Sequence, residues 1–277
     1  MINIHFGNQS NGPGKVAANL IKGLNKISAK YKTNQTIVGD ENLLSLQDSQ
    51  IMYSQYIGNA IIGPNICTLP FDNHIVMKQE YKKIIVPSKW VFDLYKRWLP
   101  AEKIAIWAVG IDTETFSDFS QEEKIKDCLI YFKRRDITEM LNITNMLSRK
   151  GQSFEIIEYG QYQEDVFLEK LKYCRYGFVC DNTESQGIAI EEMMSTNLPL
   201  CVWDVSRWND RGDEHACPAS SIPYWSKSCG EYFFKEEDME KTFDKFLSNI
   251  SNYKPRDFIL ENLSLENQAT TLLTLFD

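Results

Sequence analysis

The sequence is poor in histidine, with three in 277 residues, and it has no Cys-x-x-Cys pair. A His/Cys metal centre therefore has little to build on. His215 shares a polar loop with Cys217, but no further ligand stands at metal-binding spacing. No Asp-x-Asp motif of the metal-dependent type closes a strand, and no Ser-His-Asp triad can be argued from the spacings. No run approaches the roughly 18 apolar residues of a membrane-spanning helix. The N-terminus has neither the basic region nor the apolar stretch of a signal peptide. Basic excess is missing too: 30 Lys+Arg stand against 38 Asp+Glu, a net charge of −8. That argues against a general nucleic-acid binder. No internal repeat or low-complexity tract is visible. The seven cysteines, at 67, 128, 174, 180, 201, 217 and 229, are odd in number and scattered. They read as reduced, mostly buried thiols of a cytoplasmic protein.

What is present is an ordinary soluble composition, 43% hydrophobic, 25% charged and 12% aromatic. At about 150 residues per domain the length suggests two domains. Strand patterns alternate with helical ones. The first half reads as strand Ile2–Phe6, a turn at Gly12-Pro13-Gly14, and an amphipathic helix from Lys15 to about Lys30. Apolar runs follow at Thr36–Val38, Ile51–Tyr56, Ala60–Ile62 and Ile84–Val86. Ser88 then opens a helix to about Trp98, and Ile104–Val109 is a further strand. Residues 110–123 are polar and turn-rich and place a boundary there, giving domains 1–115 and 116–277. The pattern then restarts with strands at Leu129–Phe132, Glu155–Glu158, Tyr176–Cys180 and Leu200–Trp203. Helices are expected at about 137–149, 164–173 and 187–196, and the chain is helical from about 236. Short strands, apolar on both faces and separated by helices, are the signature of parallel sheets. The fold class is therefore α/β, with two Rossmann-like domains.

One segment carries more chemistry than the rest: Asp181-Asn182-Thr183-Glu184-Ser185-Gln186-Gly187-Ile188-Ala189-Ile190-Glu191-Glu192. It follows a strand and opens a helix, at the end of a sheet where α/β proteins bind ligands. Ser185, Gln186 and Gly187 present backbone N–H groups at a helix N-terminus, which favours a phosphate. Glu184 and Glu192 can each accept hydrogen bonds from sugar hydroxyls. A capped helix with a solvated glutamate pair fits the same residues equally well.

The segment resembles the Glu-x7-Glu motif of family 4 retaining glycosyltransferases, which have the GT-B fold. Three further stretches resemble that family in the same order. These are Gly12-Pro13-Gly14-Lys15, the strand-Ser-helix run Ile85–Val91, and Ile106–Phe116 leading into the interdomain linker. The resemblance covers most of residues 1–205. It implies two Rossmann-like domains with parallel sheets facing across a cleft, an acceptor side first and a donor-binding side second. It further implies that Glu184 contacts the transferred sugar and Glu192 the nucleotide ribose. The donor diphosphate would rest on the N–H groups near Ser185, Gln186 and Gly187.

Lys133-Arg134-Arg135 follows a strand of the second domain, where cations would neutralise a departing diphosphate. The family commonly has an Arg here and a Lys about five residues on. This sequence has Asp136-Ile137-Thr138-Glu139 instead, so Lys133 and Arg134 are favoured for catalysis, with Arg135 as a substitute. A surface patch paired with Asp136 and Glu139 is the plainer account. By the same resemblance Gly12 and Gly14 face the donor phosphates, and Gly160 and Tyr162 lie near the nucleobase. His74 is a candidate on the acceptor or sugar side. Each of these also reads as an ordinary turn, loop aromatic or surface histidine.

The implied activity is metal-independent, retaining transfer from a nucleotide-diphosphate sugar to a glycan, lipid-linked or other hydroxyl acceptor, with no cofactor. Two alternatives stay open: a non-catalytic relative that binds sugar nucleotide or protein, and another nucleotide-sugar enzyme such as an epimerase. Residues 78–103 hold seven Lys/Arg against three acids, which suggests peripheral contact with an anionic membrane or else a solvated helix face. Two domains in this length is short for the fold. The shortening falls on the first half, and the final helix is a candidate to pack back on it.

Overall fold

Short strands buried on both faces, most followed by a helix, build two parallel sheets. The computed structural model describes residues 1–7, 12–38, 41–47, 57–66 and 68–277. It divides into two compact units, Met1–Gly110 together with Leu263–Asp277, and Ile111–Asn262.

The first unit contains β1 (Ile2–His5), α1 (Gly12–Lys26), β2 (Tyr31–Thr33), β3 (Asn42–Ser45), β4 (Ala60–Ile62), α2 (His74–Lys78), β5 (Lys83–Val86), α3 (Lys89–Tyr95) and β6 (Ile104–Ile106). Its six-stranded sheet runs β2-β1-β3-β4-β5-β6, all parallel, with Ile2 opposite both Tyr31 and Asn42. Two sequence expectations are corrected here. Gly12 and Gly14 are not a turn ahead of the helix but lie in its first turn, where the fixed φ of Pro13 is already helical. The run Thr36–Val38 is not a strand, and Val38 is 69% exposed. The strand lies just before it and stops at Asn34, whose φ is 51°. The Asn34 amide closes on the backbone of Phe6, accepting from its N–H at 3.0 Å and donating to its carbonyl at 3.1 Å. The sequence reading missed β3. The run Ile51–Tyr56 lies outside the described residues, as does Cys67.

The C-terminal helix of the chain returns to this unit and lies against α1. It packs closely because Gly23 has no side chain: a Cβ there would sit 2.6 Å from the carbonyl oxygen of Leu265. Trp107 Nε1 adds a hydrogen bond to Gln268 O at 2.9 Å, and buried Asn19 donates to Gly110 O at 2.9 Å.

The second unit contains β7 (Lys126–Lys133), α4 (Ile137–Arg149), β8 (Phe154–Glu158), α5 (Glu164–Tyr173), β9 (Cys174–Asp181), α6 (Ile188–Ser195) and β10 (Leu200–Trp203). These match the sequence reading closely. A small antiparallel hairpin of β11 (Arg207–Trp208) and β12 (Cys217–Pro218), then β13 (Gly230–Phe233), were not foreseen. Then come α7 (Met239–Asn249) and α8 (Pro255–Asn262), and the chain's last helix is α9 (Leu265–Thr274). The sheet runs β13-β10-β9-β7-β8, all parallel. Alternation sorts each strand into two faces. Cys128, Ile130 and Phe132 of β7 join Tyr176, Phe178 and Cys180 of β9 in a core with Ile143, Met146 and Leu147 of α4 and Phe243 and Phe246 of α7. Tyr131 and Lys133 leave β7 on the other face. The six described cysteines are buried.

The division falls at Gly110, because the residues that follow are bonded inside the second unit. Asp112 accepts from Thr115 N–H at 3.2 Å and Thr115 Oγ1 at 2.9 Å. Arg256 of α8 donates to the carbonyls of Thr113 at 3.1 Å and Phe116 at 3.0 Å.

Candidate functional site

The second sheet is wound outward from β7. The chain goes first to β8 on one side and then to β9, β10 and β13 on the other. The loops that leave β7 and β9 therefore diverge, and the crevice between their carboxyl ends is a topological switch point, the place where open α/β sheets bind ligands. Lys133 and Asp181 are the last residues of the two strands and stand opposite each other in register.

Lys133 and Glu184 are brought together here as an ion pair whose side chains are 12% and 14% exposed. The loop that carries Glu184 is held at both ends. Asn182 N–H donates to Lys133 O at 3.2 Å, and Glu184 N–H donates to Ser220 O at 3.0 Å. Ser220 is itself fixed by Asp204, just past β10. The Asp204 carboxylate accepts from Ser220 Oγ at 2.9 Å and from Ser221 N–H at 2.7 Å. The unforeseen β11–β12 hairpin is thus tied at its root and braces the Glu184 loop. Tyr159, at the end of β8, places its ring 4.2 Å from the Lys133 ammonium, a cation–π contact.

Gly187 is the N-cap of α6, with φ 92° and ψ 40°, a left-handed conformation that glycine adopts without cost. The first N–H groups of α6 point out past it without helix partners. Ser185 is exposed and Gln186 is buried. Gln186 Nε2 donates to Glu191 Oε2 at 2.8 Å. Glu191 and Glu192 are 1% and 3% exposed; with Glu184 held by Lys133 and 14% exposed, Glu184 and Glu192 are not a solvated pair. Burial, with the adjacent Glu192 and Glu184 carboxyls, holds the Glu191 carboxyl well above the usual range, although the Gln186 contact opposes this.

The three consecutive cations are sorted by the fold. Arg134 has φ 51° and is exposed. Arg135 turns inward. Its Nε donates to Glu139 Oε2 at 2.7 Å and its Nη2 to Glu139 Oε1 at 2.5 Å, while Nη1 reaches the carbonyls of Asp181 and Trp203 at 3.0 and 3.1 Å. Glu139 also completes a capping box with Asp136 at the start of α4. Arg135 is therefore a strut across the ends of β9 and β10, with little left to offer a diphosphate. Tyr162 packs against Phe167, ring centroids 5.2 Å apart, while Gly160 is exposed at φ 82°. The aromatic beside the cation is Tyr159.

Asp181 and Tyr131 were not singled out by the sequence. Asp181 is fully buried, and no side chain donates a hydrogen bond to its carboxyl. Burial and Glu184 push its carboxyl well above the usual range, against Lys133 and the Asn182 N–H. Burial, then the neighbouring Tyr162, Asp181 and Glu184, raises the Tyr131 phenol. A charged residue ending an apolar strand was the available signal for Asp181.

In the first unit, Gly12 and Gly14 lie in the first turn of α1, and His74 is the exposed first residue of α2. Five of the seven cations in the basic stretch 78–103 have partners within the chain. Lys82 Nζ donates to Phe276 O at 2.7 Å, Lys83 Nζ to Glu102 O at 3.1 Å, and Lys103 Nζ to Tyr81 O at 2.7 Å. Lys89 and Lys96 both hold Asp93. The expectation of a membrane-docking face therefore finds no support here. Among the described residues no helix is long and apolar enough to cross a membrane, and no group of three His, Cys, Asp or Glu is placed to hold a metal.

No protein-family model matches the chain, and no curated protein matches it in sequence. Solved structures do match. The lipopolysaccharide outer core galactosyltransferase WaaB, apo form, is similar over 99% of this chain and 98% of its own, at TM-score 0.61 and 10% identity. AviGT4, a glycosyltransferase involved in avilamycin A biosynthesis, is similar over 99% of this chain and 96% of its own, at TM-score 0.62 and 10% identity. The UDP-GlcNAc 2-epimerase from Methanocaldococcus jannaschii is similar over 99% and 98%, at TM-score 0.51 and 10% identity. With both sheets parallel and the likeness running the length of the chain, the protein has the GT-B fold.

Proposed function

We propose that the chain is a retaining glycosyltransferase that moves a sugar from a nucleotide-diphosphate donor to a hydroxyl acceptor without a metal. The observation that carries this reading is the Lys133–Glu184 pair at the switch point, beside the glycine-capped start of α6. A cation, a carboxylate and a helix N-terminus within one crevice suit the three parts of such a donor. Lys133 and the α6 N–H groups take the diphosphate, with exposed Arg134 nearby. Glu184 accepts from a hydroxyl of the sugar, and Glu192 from the ribose. The positive groups stabilise charge as the diphosphate leaves. The acceptor hydroxyl attacks from the same face and gives its proton to the departing phosphate. A glycan or lipid-linked hydroxyl is the acceptor class we favour, by analogy with the transferases that share the fold.

The test is a panel of UDP-, ADP- and GDP-sugars, screened by thermal shift and then by donor hydrolysis and transfer with EDTA present. Stabilisation by one donor, with turnover in EDTA, supports the reading. Failure to bind any of them overturns it. Binding without turnover on any acceptor favours a binding module. Conversion of the sugar without an acceptor favours an epimerase, a reading to which the likeness to the 2-epimerase gives weight.

A further inference from the structure

A second concave surface lies at the open edge of the second unit's sheet. β13 pairs with β10 alone and so ends the sheet. β10 stands between it and β9, the strand that leads into the Glu184 loop. At about 4.8 Å per strand, β13 and β9 are about 10 Å apart. The cavity at this edge is about 470 Å³, within the roughly 300–1,000 Å³ of small-molecule sites. None of its lining residues belongs to the Lys133–Glu184 crevice.

Strand alternation builds one wall from aromatic rings. Phe233 joins the core beneath α7. Glu231 lies on the same face, where it accepts from Lys245 Nζ at 2.7 Å and Tyr253 Oη at 3.0 Å. Tyr232, with Phe234 two residues on, faces the other way, and the two are 47% and 48% exposed. Their ring centroids are 5.5 Å apart at 70°. Trp225, from the loop before β13, meets Tyr232 at 6.5 Å and 84°. Three rings at steep angles thus form a corner at the surface. Large apolar groups exposed side by side mark a binding site more often than scattered ones do.

The other wall is polar. Asp238, Thr242 and Lys245 follow one another at i, i+4 and i+7, one row along α7. Asp238 is the N-cap of α7, yet its side chain makes no capping bond. The charges that line the cavity cancel, Lys227 and Lys245 against Glu231 and Asp238. Glu236 and Glu237 add acids close by. Such a lining does not draw in nucleic acid or an anionic lipid, which need a basic excess. It suits a neutral ligand with an apolar face and a rim of groups that both donate and accept. A pyranose has that form. Its C–H face lies on an aromatic ring, whose own face is electron-rich. Its hydroxyls reach a carboxylate, a threonine hydroxyl and an ammonium.

We propose that the β13 edge is a second carbohydrate site, which binds a neutral glycan chain apart from the donor crevice. One sugar stacks on Tyr232 or Phe234, and its hydroxyls bond to Asp238, Thr242 and Lys227. The role in turnover rests on the glycosyltransferase reading: a long acceptor held at this edge gains effective concentration at the transfer centre.

Calorimetry of the full chain with maltohexaose, cellohexaose, chitohexaose and laminarihexaose, without nucleotide, tests the binding. At least one should bind. Tyr232→Ser and Phe234→Ala should each weaken it about tenfold, the value of one lost stacking contact. Both side chains are about half exposed, so the variants should keep a Tm close to that of the wild type. No binding of any of the four, or equal affinity in the wild type and both variants, overturns the proposal. So does a dimer in sedimentation that Tyr232→Ser dissociates, because the rings then cover a second copy of the chain. Binding of UDP-, ADP- and GDP-sugars is measured separately and should be the same in Tyr232→Ser as in the wild type. Failure of every nucleotide sugar removes the glycosyltransferase reading and leaves the glycan result standing. Failure of the glycans leaves that reading untouched.

Discussion

Lys133, the last residue of β7, and Glu184, in the loop beyond β9, neutralise each other across the crevice where the donor diphosphate is proposed to lie. A bound donor must separate them. Truncating either side should therefore have opposite effects on binding and the same effect on turnover. Lys133→Ala removes the cation and should weaken binding of a nucleoside diphosphate and lower transfer on the order of 10²–10³-fold, the usual loss for one charge-stabilising donor. Glu184→Ala releases Lys133, so the free diphosphate should bind severalfold more tightly while transfer is lost. Calorimetry with UDP, ADP and GDP, run beside the transfer assay, separates the two. Weaker diphosphate binding in Glu184→Ala would contradict the competition.

Arg134 and Arg135 are neighbours with different duties, and stability and kinetics should separate them. Arg135→Ala leaves Glu139 and two strand-end carbonyls without their partner. A cost of about 2–4 kcal/mol follows from unpairing a mostly buried, hydrogen-bonded charge, read as a fall in urea midpoint. Arg134 is exposed, so Arg134→Ala should move stability by less than about 0.5 kcal/mol. Its effect should appear in kcat/KM for the donor. An Arg135→Ala protein as stable as the wild type would deny the strut.

The sequence made the second unit legible because its signals are local. Its strands are apolar on both faces, and helix-period runs separate them. α4 and α5 begin and end where the patterns place them. The first unit was harder, since β2 and β3 are short and only partly apolar, and the β-branched run Thr36–Val38 imitates a strand. What decides that segment is Asn34 closing on Phe6, a contact between residues distant in sequence. The same holds at the site. Glu184 and Lys133 stood out by their positions after strands. Which of three adjacent cations faces the crevice depends on a left-handed turn at Arg134 and a glutamate at 139, neither of which composition or period reveals. Asp181 escaped notice because a strand-end aspartate usually meets water. Here it is covered by the Glu184 loop, which the distant Asp204–Ser220 contact holds in place.

Glu191 supplies a pH test independent of any substrate. Its carboxyl is buried and shifted well above the usual range, by burial foremost. An unfolded Glu ionises near 4.3, so the native state binds more protons between that value and the raised native pKa. Stability is fully present below about 4.3 and is lost as pH rises towards the native pKa. Glu191→Gln retains an acceptor for Gln186 Nε2 and has no proton to lose. It should match the wild type near pH 4 and unfold at a higher Tm from neutral pH upward. A constant Tm difference across that window would mean that Glu191 is ionised in the fold.

Gly187 tests whether the start of α6 meets a ligand. A Cβ at this position has room, since the nearest atom, Ser221 O, would be 3.6 Å away. The cost of Gly187→Ala is therefore conformational, roughly 1–2 kcal/mol for a left-handed residue with a side chain. That leaves most of the fold's stability in place, so the binding measurement remains interpretable. The added methyl stands at the mouth of the N–H groups that open the helix. If those groups hold the diphosphate, Gly187→Ala should weaken nucleoside diphosphate binding well beyond its effect on Tm, whereas Gly151→Ala, which also has φ above zero and open space, should cost stability alone. Equal affinity in Gly187→Ala and the wild type would remove the helix N-terminus from the site and leave Lys133 as the main anchor of the phosphates.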